Sequence, residues 1–169
     1  MKVLIVSDTH GHGEVYTKLI QKLSPMDLVI HCGDVEGQER SMEQITRETW
    51  DCPMILVAGN NDFFGDLKRE ISLTLEDRRI LVTHGHAYYV SMGPEFIRKE
   101  AKARGYDIAI YGHTHKPLVD TSDPEILLIN PGSLCYPRQE GHEPTYAVLT
   151  VEQDQCYANI VYMGKDFFA

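Results

Sequence analysis

At 169 residues, 43% of them hydrophobic, the chain is long enough to bury a core, and residues 1–169 read as one domain. Sixteen Lys and Arg against 25 Asp and Glu leave a net charge of −9, which argues against long nucleic acid or an anionic membrane surface as partner. No apolar run reaches the roughly 20 residues that span a bilayer.

The opening segment Met1-Lys2-Val3-Leu4-Ile5-Val6 is too short for a signal-peptide core and has no small-residue cleavage site behind it. Four scattered cysteines, Cys32, Cys52, Cys135 and Cys156, form no C-x-x-C pair and read as reduced thiols. The expected compartment is the cytoplasm.

In chain order, Val3–Val6 reads as a buried strand, followed by a helix from Gly13 to Leu23 with Val15, Leu19, Ile20 and Leu23 at helical spacing. Ser24-Pro25 ends it. Leu28–Ile30 is a second strand, Gln38–Thr49 a second helix and Met54–Val57 a third strand. Strand, helix, strand, helix, strand implies parallel pairing with right-handed crossovers. Ile71–Leu75 and Arg79–Val82 then flank Glu76-Asp77-Arg78 as a hairpin. A third helix starts at Gly93-Pro94, runs to Arg104 and stops at Gly105, and Ile108–Tyr111 is a further strand. The last third reads as β: Leu118–Asp120, Ile126–Ile129, Tyr146–Val151 and Cys156–Tyr162. The fold class is therefore α/β passing into α+β, two sheets packed face to face with helices outside.

Seven of the eight histidines fall in four polar peptides, each just beyond an apolar run. These are Ser7-Asp8-Thr9-His10-Gly11-His12, His31-Cys32-Gly33-Asp34, Thr83-His84-Gly85-His86 and Gly112-His113-Thr114-His115. Gly59-Asn60-Asn61-Asp62 has the same placement with amides. Polar peptides at the carboxyl ends of parallel strands line one crevice. The candidate ligands are Asp8, His10, Asp34, Asn60, His84, His113 and His115. Imidazole with carboxylate suits Zn²⁺, Mn²⁺ or Fe, and no thiolate is offered. Seven ligands exceed one tetrahedral ion and fit two ions sharing a carboxylate, roughly 3.5–4 Å apart. Two divalent ions, two carboxylates and a bridging hydroxide leave a net positive charge, which suits phosphoester hydrolysis.

The ordered set D-x-H, G-D, G-N-x-[DE], H-G-H, G-H-x-H resembles that of the calcineurin-like metallophosphoesterases. The short length, Asn60-Asn61-Asp62 and Asn130-Pro131-Gly132-Ser133 are similar to the family's small bacterial and archaeal YfcE-type branch. The resemblance runs from residue 1 to about residue 135. It implies a four-layer αββα sandwich and two divalent ions per chain, often Mn²⁺, with Zn²⁺, Ni²⁺ or Fe in other members. By it, Asp8, His10 and His115 hold one ion, Asn60, His84 and His113 the other, and Asp34 bridges, with Asp34, His10 and Asn60 at the catalytic centre. Many relatives carry a histidine that protonates the leaving group where this chain has Asn61. The YfcE-type branch shares that loss, which typically costs about 10²–10⁴-fold for poor leaving groups.

Other residues have two readings each. Asp62 either orients Asn60 or a ligand histidine, or closes its own turn. His12 and His86 either substitute for the missing acid or contact substrate, or are solvated loop residues. His31 reads as a core histidine with a bonded ring. Asn130 or Ser133 either bonds a ligand histidine or simply forms a turn. Arg138 either grips a phosphate or lies on the surface. His142 reads as loop. Phe167-Phe168 and Tyr88-Tyr89 either meet a second copy in a homo-oligomer or pack internally.

The expectation is a two-metal phosphodiesterase acting on a small phosphodiester. The alternative is a metal-binding scaffold of the retromer-subunit type, which the completeness of the ligand set disfavours.

Overall fold

The computed structural model describes residues 1–63, 65–164 and 167. The elements are β1 (Lys2–Val6), α1 (Gly13–Lys22), β2 (Leu28–His31), α2 (Glu39–Trp50), β3 (Met54–Leu56), β4 (Glu70–Leu75) and β5 (Arg78–Thr83). Two single-turn 3-10 helices (His86–Tyr88 and Val90–Met92) lead to α3 (Glu95–Ala103), β6 (Ile108–Ile110), β7 (Pro117–Asp120), β8 (Leu127–Pro131), β9 (Thr145–Val151) and β10 (Cys156–Tyr162). Each expected strand and helix is present, with ends moved by no more than two residues.

The strands form two five-stranded mixed sheets, ordered β10-β9-β1-β2-β3 and β4-β5-β6-β8-β7. β1, β2 and β3 are parallel, as are β5, β6 and β8, while β9, β10, β4 and β7 pair antiparallel to their neighbours. Period-2 alternation decides which face each side chain occupies. Val3, Ile5, Leu28 and Ile30 of one sheet pack with Ile80, Val82, Ile108, Ile110 and Ile129 of the other in the central core. Their strand neighbours point outward. Leu4, Val6 and Val29 pack under Tyr16, Leu19, Ile20 and Met42 of α1 and α2. Leu81, Ala109 and Leu128 pack under Ile97 and Ala101 of α3. The result is the expected four-layer αββα sandwich. Strands apolar on both faces are what two-sided coverage requires.

No helix among the described residues is long and apolar enough to cross a membrane, and the four cysteines are free. Tyr88 is half-buried and donates its hydroxyl to Glu70 at 2.6 Å, whereas Tyr89 is exposed. Phe167 packs against the core beneath α1 and α2; Phe168 lies outside the described residues.

His31 ends β2 inside the core. Its Nδ1 accepts the Gly33 N–H at 3.2 Å, so Nε2 carries the proton and donates to Thr9 Oγ1 at 3.0 Å. Burial pushes its pKa down to about 4. The unfolded chain therefore binds one more proton than the folded chain at pH values between that one and the ordinary value near 6.5. Stability is complete above the ordinary value and falls as pH drops through this window, by up to about 1.4 kcal/mol per pH unit. Urea unfolding of the metal-free protein between pH 7 and 4 should show this slope, reduced in His31→Gln; identical slopes would exclude His31 as its source.

Candidate metal centre

The centre forms where five strands of the two sheets end. Asp8 and His10 follow β1, Asp34 follows β2, Asn60 follows β3, His84 follows β5, and His113 and His115 follow β6. All seven expected residues meet there. Asp8, His10 and His115 form one set of mutually close donor atoms, and Asp8, Asp34 and His84 form another, each set within 4.8 Å. Asn60 Oδ1 lies 3.0 Å from His84 Nε2, and His113 Nδ1 lies 3.3 Å from the same atom.

Three imidazoles have their outer nitrogens committed elsewhere. His10 Nδ1 donates to Glu36 Oε1 at 2.7 Å, His84 Nδ1 to the Cys32 carbonyl at 2.7 Å, and His115 Nδ1 to the Tyr136 carbonyl at 2.6 Å. Each bond fixes the tautomer and turns a basic Nε2 inward. His10 Nε2 and His115 Nε2 then face each other 3.2 Å apart. Two lone pairs at that distance require a positive charge between them, a proton or a cation. Asp8 Oδ1 is buried without a hydrogen-bond partner, and the nearest imidazole nitrogen, His115 Nε2 at 3.1 Å, presents a lone pair because Nδ1 carries the proton. An orphaned buried carboxylate oxygen among inward-facing imidazole nitrogens fits a divalent cation.

Electrostatics agree. Burial raises the Asp8 carboxyl, but His115, His84 and Ser7 bring it below the ordinary carboxylate value. Asp34 is likewise raised by burial and lowered further by His84 and Asn61. His84 is lowered by burial and raised, on balance, by Asp34 and Asp8. His113 is lowered, by burial and by His84.

The backbone is shaped for convergence. Asp8, His10, Asp34, Glu36, His113 and His115 all have positive φ, between 46° and 67°. Left-handed backbone at non-glycine residues costs roughly 1 kcal/mol or more each and clusters at functional sites. The pattern is one residue apart in three loops: Asp8 with His10, Asp34 with Glu36, His113 with His115. Two glycines permit the loops to touch. A Cβ on Gly59 would overlap Asp34 Oδ1, and one on Gly112 would overlap Ser7 Oγ.

Several secondary expectations resolve differently. Asp62 orients neither Asn60 nor a ligand ring. Its carboxylate accepts the backbone N–H groups of Asp34 (2.8 Å), Val35 (2.9 Å), Glu36 (2.7 Å) and Gly59 (2.7 Å), tying the β2 loop to the β3 loop. Asn130 and Ser133 bond ligand-bearing backbone and not histidine rings. Asn130 Nδ2 donates to the Gly112 carbonyl at 2.9 Å and Ser133 Oγ to the Asp8 carbonyl at 2.8 Å. Asn61 holds Asp34, through its N–H to Oδ1 (2.9 Å) and its Nδ2 to Oδ2 (2.8 Å). His12 bonds Glu14 (3.0 Å) and the Tyr136 hydroxyl (2.9 Å). The His86 ring lies tilted 5.4 Å from His84 and 6.1 Å from His113, and its buried Nδ1 has no hydrogen-bond partner. His142 is exposed in a loop, as expected. Sequence reading missed Glu36, although Asp34-Val35-Glu36 repeats the one-apart spacing of Asp8-Thr9-His10. It also missed the Cys32 and Tyr136 carbonyls, which carry no side-chain signal.

Comparison with known proteins bears on this geometry. A family model described as the calcineurin-like phosphoesterase superfamily domain matches residues 1–154. Probable metallophosphoesterase YsnB of Bacillus subtilis is 39% identical over 159 residues, 91% of this chain and 86% of that protein. Phosphodiesterase MJ0936 of Methanocaldococcus jannaschii is 32% identical over 180 residues, 95% of this chain and 99% of that protein. Among solved structures, a Streptococcus pneumoniae protein described as a predicted phosphoesterase superposes with TM-score 0.80 at 25% identity, covering 95% of this chain and 88% of its own. Vps29 of Entamoeba histolytica, solved with zinc, shares the fold with TM-score 0.78 at 20% identity, over 98% of this chain and 94% of its own. The motif order, the αββα layers and a match spanning most of the sequence converge on one assignment: this chain belongs to the calcineurin-like phosphoesterase superfamily.

Proposed function

We propose that residues 1–169 act as one unit, a phosphodiesterase that uses two divalent ions, Mn²⁺ foremost, to hydrolyse a small phosphodiester. Asp8, His10 and His115 would hold one ion, Asn60, His84 and His113 the other, with Asp34 shared between them. The observation that carries the reading is the set of three outward Nδ1 bonds, which turn three basic nitrogens onto two buried carboxylates. Relatives named phosphodiesterase and metallophosphoesterase support it. Ions bound there supply Lewis acidity and acidify a water towards neutral pH.

The chain's own residues do the remaining tasks. Asp62 and Asn61 hold the Asp34 loop in place while Glu36 and the two carbonyls keep the rings from turning. Asn61 offers an amide already committed to Asp34, so no proton comes from that position and good leaving groups are favoured. A diester's single charge matches the modest positive surplus of such a centre. A dianionic monoester would call for a further cation against the same phosphate.

Metal-stripped protein should cleave bis(p-nitrophenyl) phosphate only after Mn²⁺, Zn²⁺, Ni²⁺ or Mg²⁺ is restored, Mn²⁺ giving the highest rate. Asp34→Asn should lose at least about 100-fold in kcat while its circular dichroism is unchanged. Two ions bound per chain without turnover would instead support the scaffold reading. Glu36→Ala should weaken one of two binding steps in a calorimetric metal titration by about 10–100-fold and leave the other; two unaltered steps would rule out a role for Glu36 in orienting His10.

A further inference from the structure

The centre opens on two sides of opposite polarity. One cavity, of about 460 Å³, is lined by Glu36, Glu39 and Asp62 beside Asn61. On the other side a cavity of about 510 Å³ runs from His10 and His115 along Tyr136 to Arg138, with Glu36 at its edge already engaged by His10. Arg138 also lines a third cavity, of about 550 Å³, whose walls include Met92, Tyr111, Leu118, Thr114 and Lys116. The two cavities therefore adjoin at Arg138.

The Gly112-His113-Thr114-His115-Lys116 run explains this arrangement. Its odd-numbered residues, His113 and His115, serve the metal centre, and the even-numbered Thr114 and Lys116 line the trench beyond it. Arg138 is tied to the same run, because its backbone N–H donates to the His115 carbonyl at 3.0 Å. Tyr136 is fixed by its N–H to Ser133 Oγ (2.8 Å) and its carbonyl to His115 Nδ1 (2.6 Å). The residue is 48% exposed, and its ring, flanked by His10 at 5.3 Å and His12 at 5.6 Å, is open on the cavity side to an organic group.

Charge decides what the trench takes. Arg98, Lys102 and Arg104 are all paired with carboxylates. Arg138 and Lys116, like several other surface cations among the described residues, have no ion pair, and they are the two that line the cavities on this side of the centre. Two uncompensated cations flank an apolar wall on one side of the centre, and carboxylates line the opposite side.

Resting on the diesterase reading above, we infer that one ester arm of the substrate lies along Tyr136 and carries a second phosphate to Arg138 and Lys116. The substrate class is thus a phosphodiester with a further phosphate on an apolar or aromatic arm, in the manner of a nucleoside bisphosphate. Hydrolysis itself is unchanged: water oxygen bonds to the diester phosphorus and one ester bond breaks.

The test uses the metal-loaded full chain and three p-nitrophenyl diesters: of methyl phosphate, of thymidine 5′-phosphate, and of thymidine 5′-phosphate bearing a 3′-phosphate. KM should fall along that series, with the 3′-phosphate lowering it about tenfold at low salt and much less at high salt, as partly exposed ion pairs require. Arg138→Ala and Lys116→Ala should each shrink the ratio of KM values between the two thymidine esters, and the double variant should bring it close to one. Lys18→Ala, the same charge change on α1, should leave that ratio as in wild type. Equal KM values for all three esters with normal turnover, or an equal effect of Lys18→Ala, would overturn the trench assignment alone. No turnover of any ester with ions bound would overturn the diesterase reading, and the assignment with it.

Discussion

Two carboxylates, Asp8 and Asp34, are buried within reach of each other. Taking like charges out of water together is costly unless positive charge or hydrogen-bond donors compensate them. Much of the surrounding structure supplies that compensation. Ser7 donates to Asp8 Oδ2 at 2.5 Å, the His113 N–H reaches the same oxygen at 3.1 Å, and Asn61 provides two donors to Asp34. Asp8 Oδ1 is left over, and the inward nitrogens of His10, His84 and His115 surround it at 3.1–4.0 Å. A site compensated on all sides but one is arranged for a cation supplied from outside.

Holding that arrangement has a conformational cost. Six residues in three loops adopt left-handed backbone, four of them carboxylates and imidazoles that follow β1 and β2. Such loops would relax if isolated. They are held by Asp62, whose single carboxylate takes four backbone donors from two loops, and by Asn130 and Ser133, which tie the loops after β6 and β1 to the end of β8. Buried core strands on either side give these staples rigid anchor points. The strain sits at the centre and the stabilisation in the sandwich beneath it.

Much of this was legible beforehand. Strands such as Val3–Val6 and Ile108–Ile110 are apolar on both faces, so their identity did not depend on distant partners. Polar peptides at their ends announced the centre because histidine and aspartate in that position have few other uses. Asp62 was legible only in part: it closes its own turn by accepting the Gly59 N–H, as one of its two readings had it, and only the fold reveals three more amides from another loop. Asn130 and Ser133 were placed near the site correctly but given side-chain partners, when backbone carbonyls took them.

The sequence alone determined the strand and helix pattern, the ligand types and their order, because periodicity and residue chemistry are local properties. It could not assign strands to sheets: β9 and β10 come last in the chain, yet they complete the first sheet beside β1. Nor could it reveal which imidazole nitrogen faces inward, since Glu36, the Cys32 carbonyl and the Tyr136 carbonyl become partners only when separate loops are brought together. The polarity of the cleft, acidic beside Asn61 and basic beside Arg138, is likewise a product of tertiary packing, for it joins residues more than 70 positions apart in the chain. Hydrogen bonds and charge pairing across such separations depend on position in space, and the packed sandwich alone sets that.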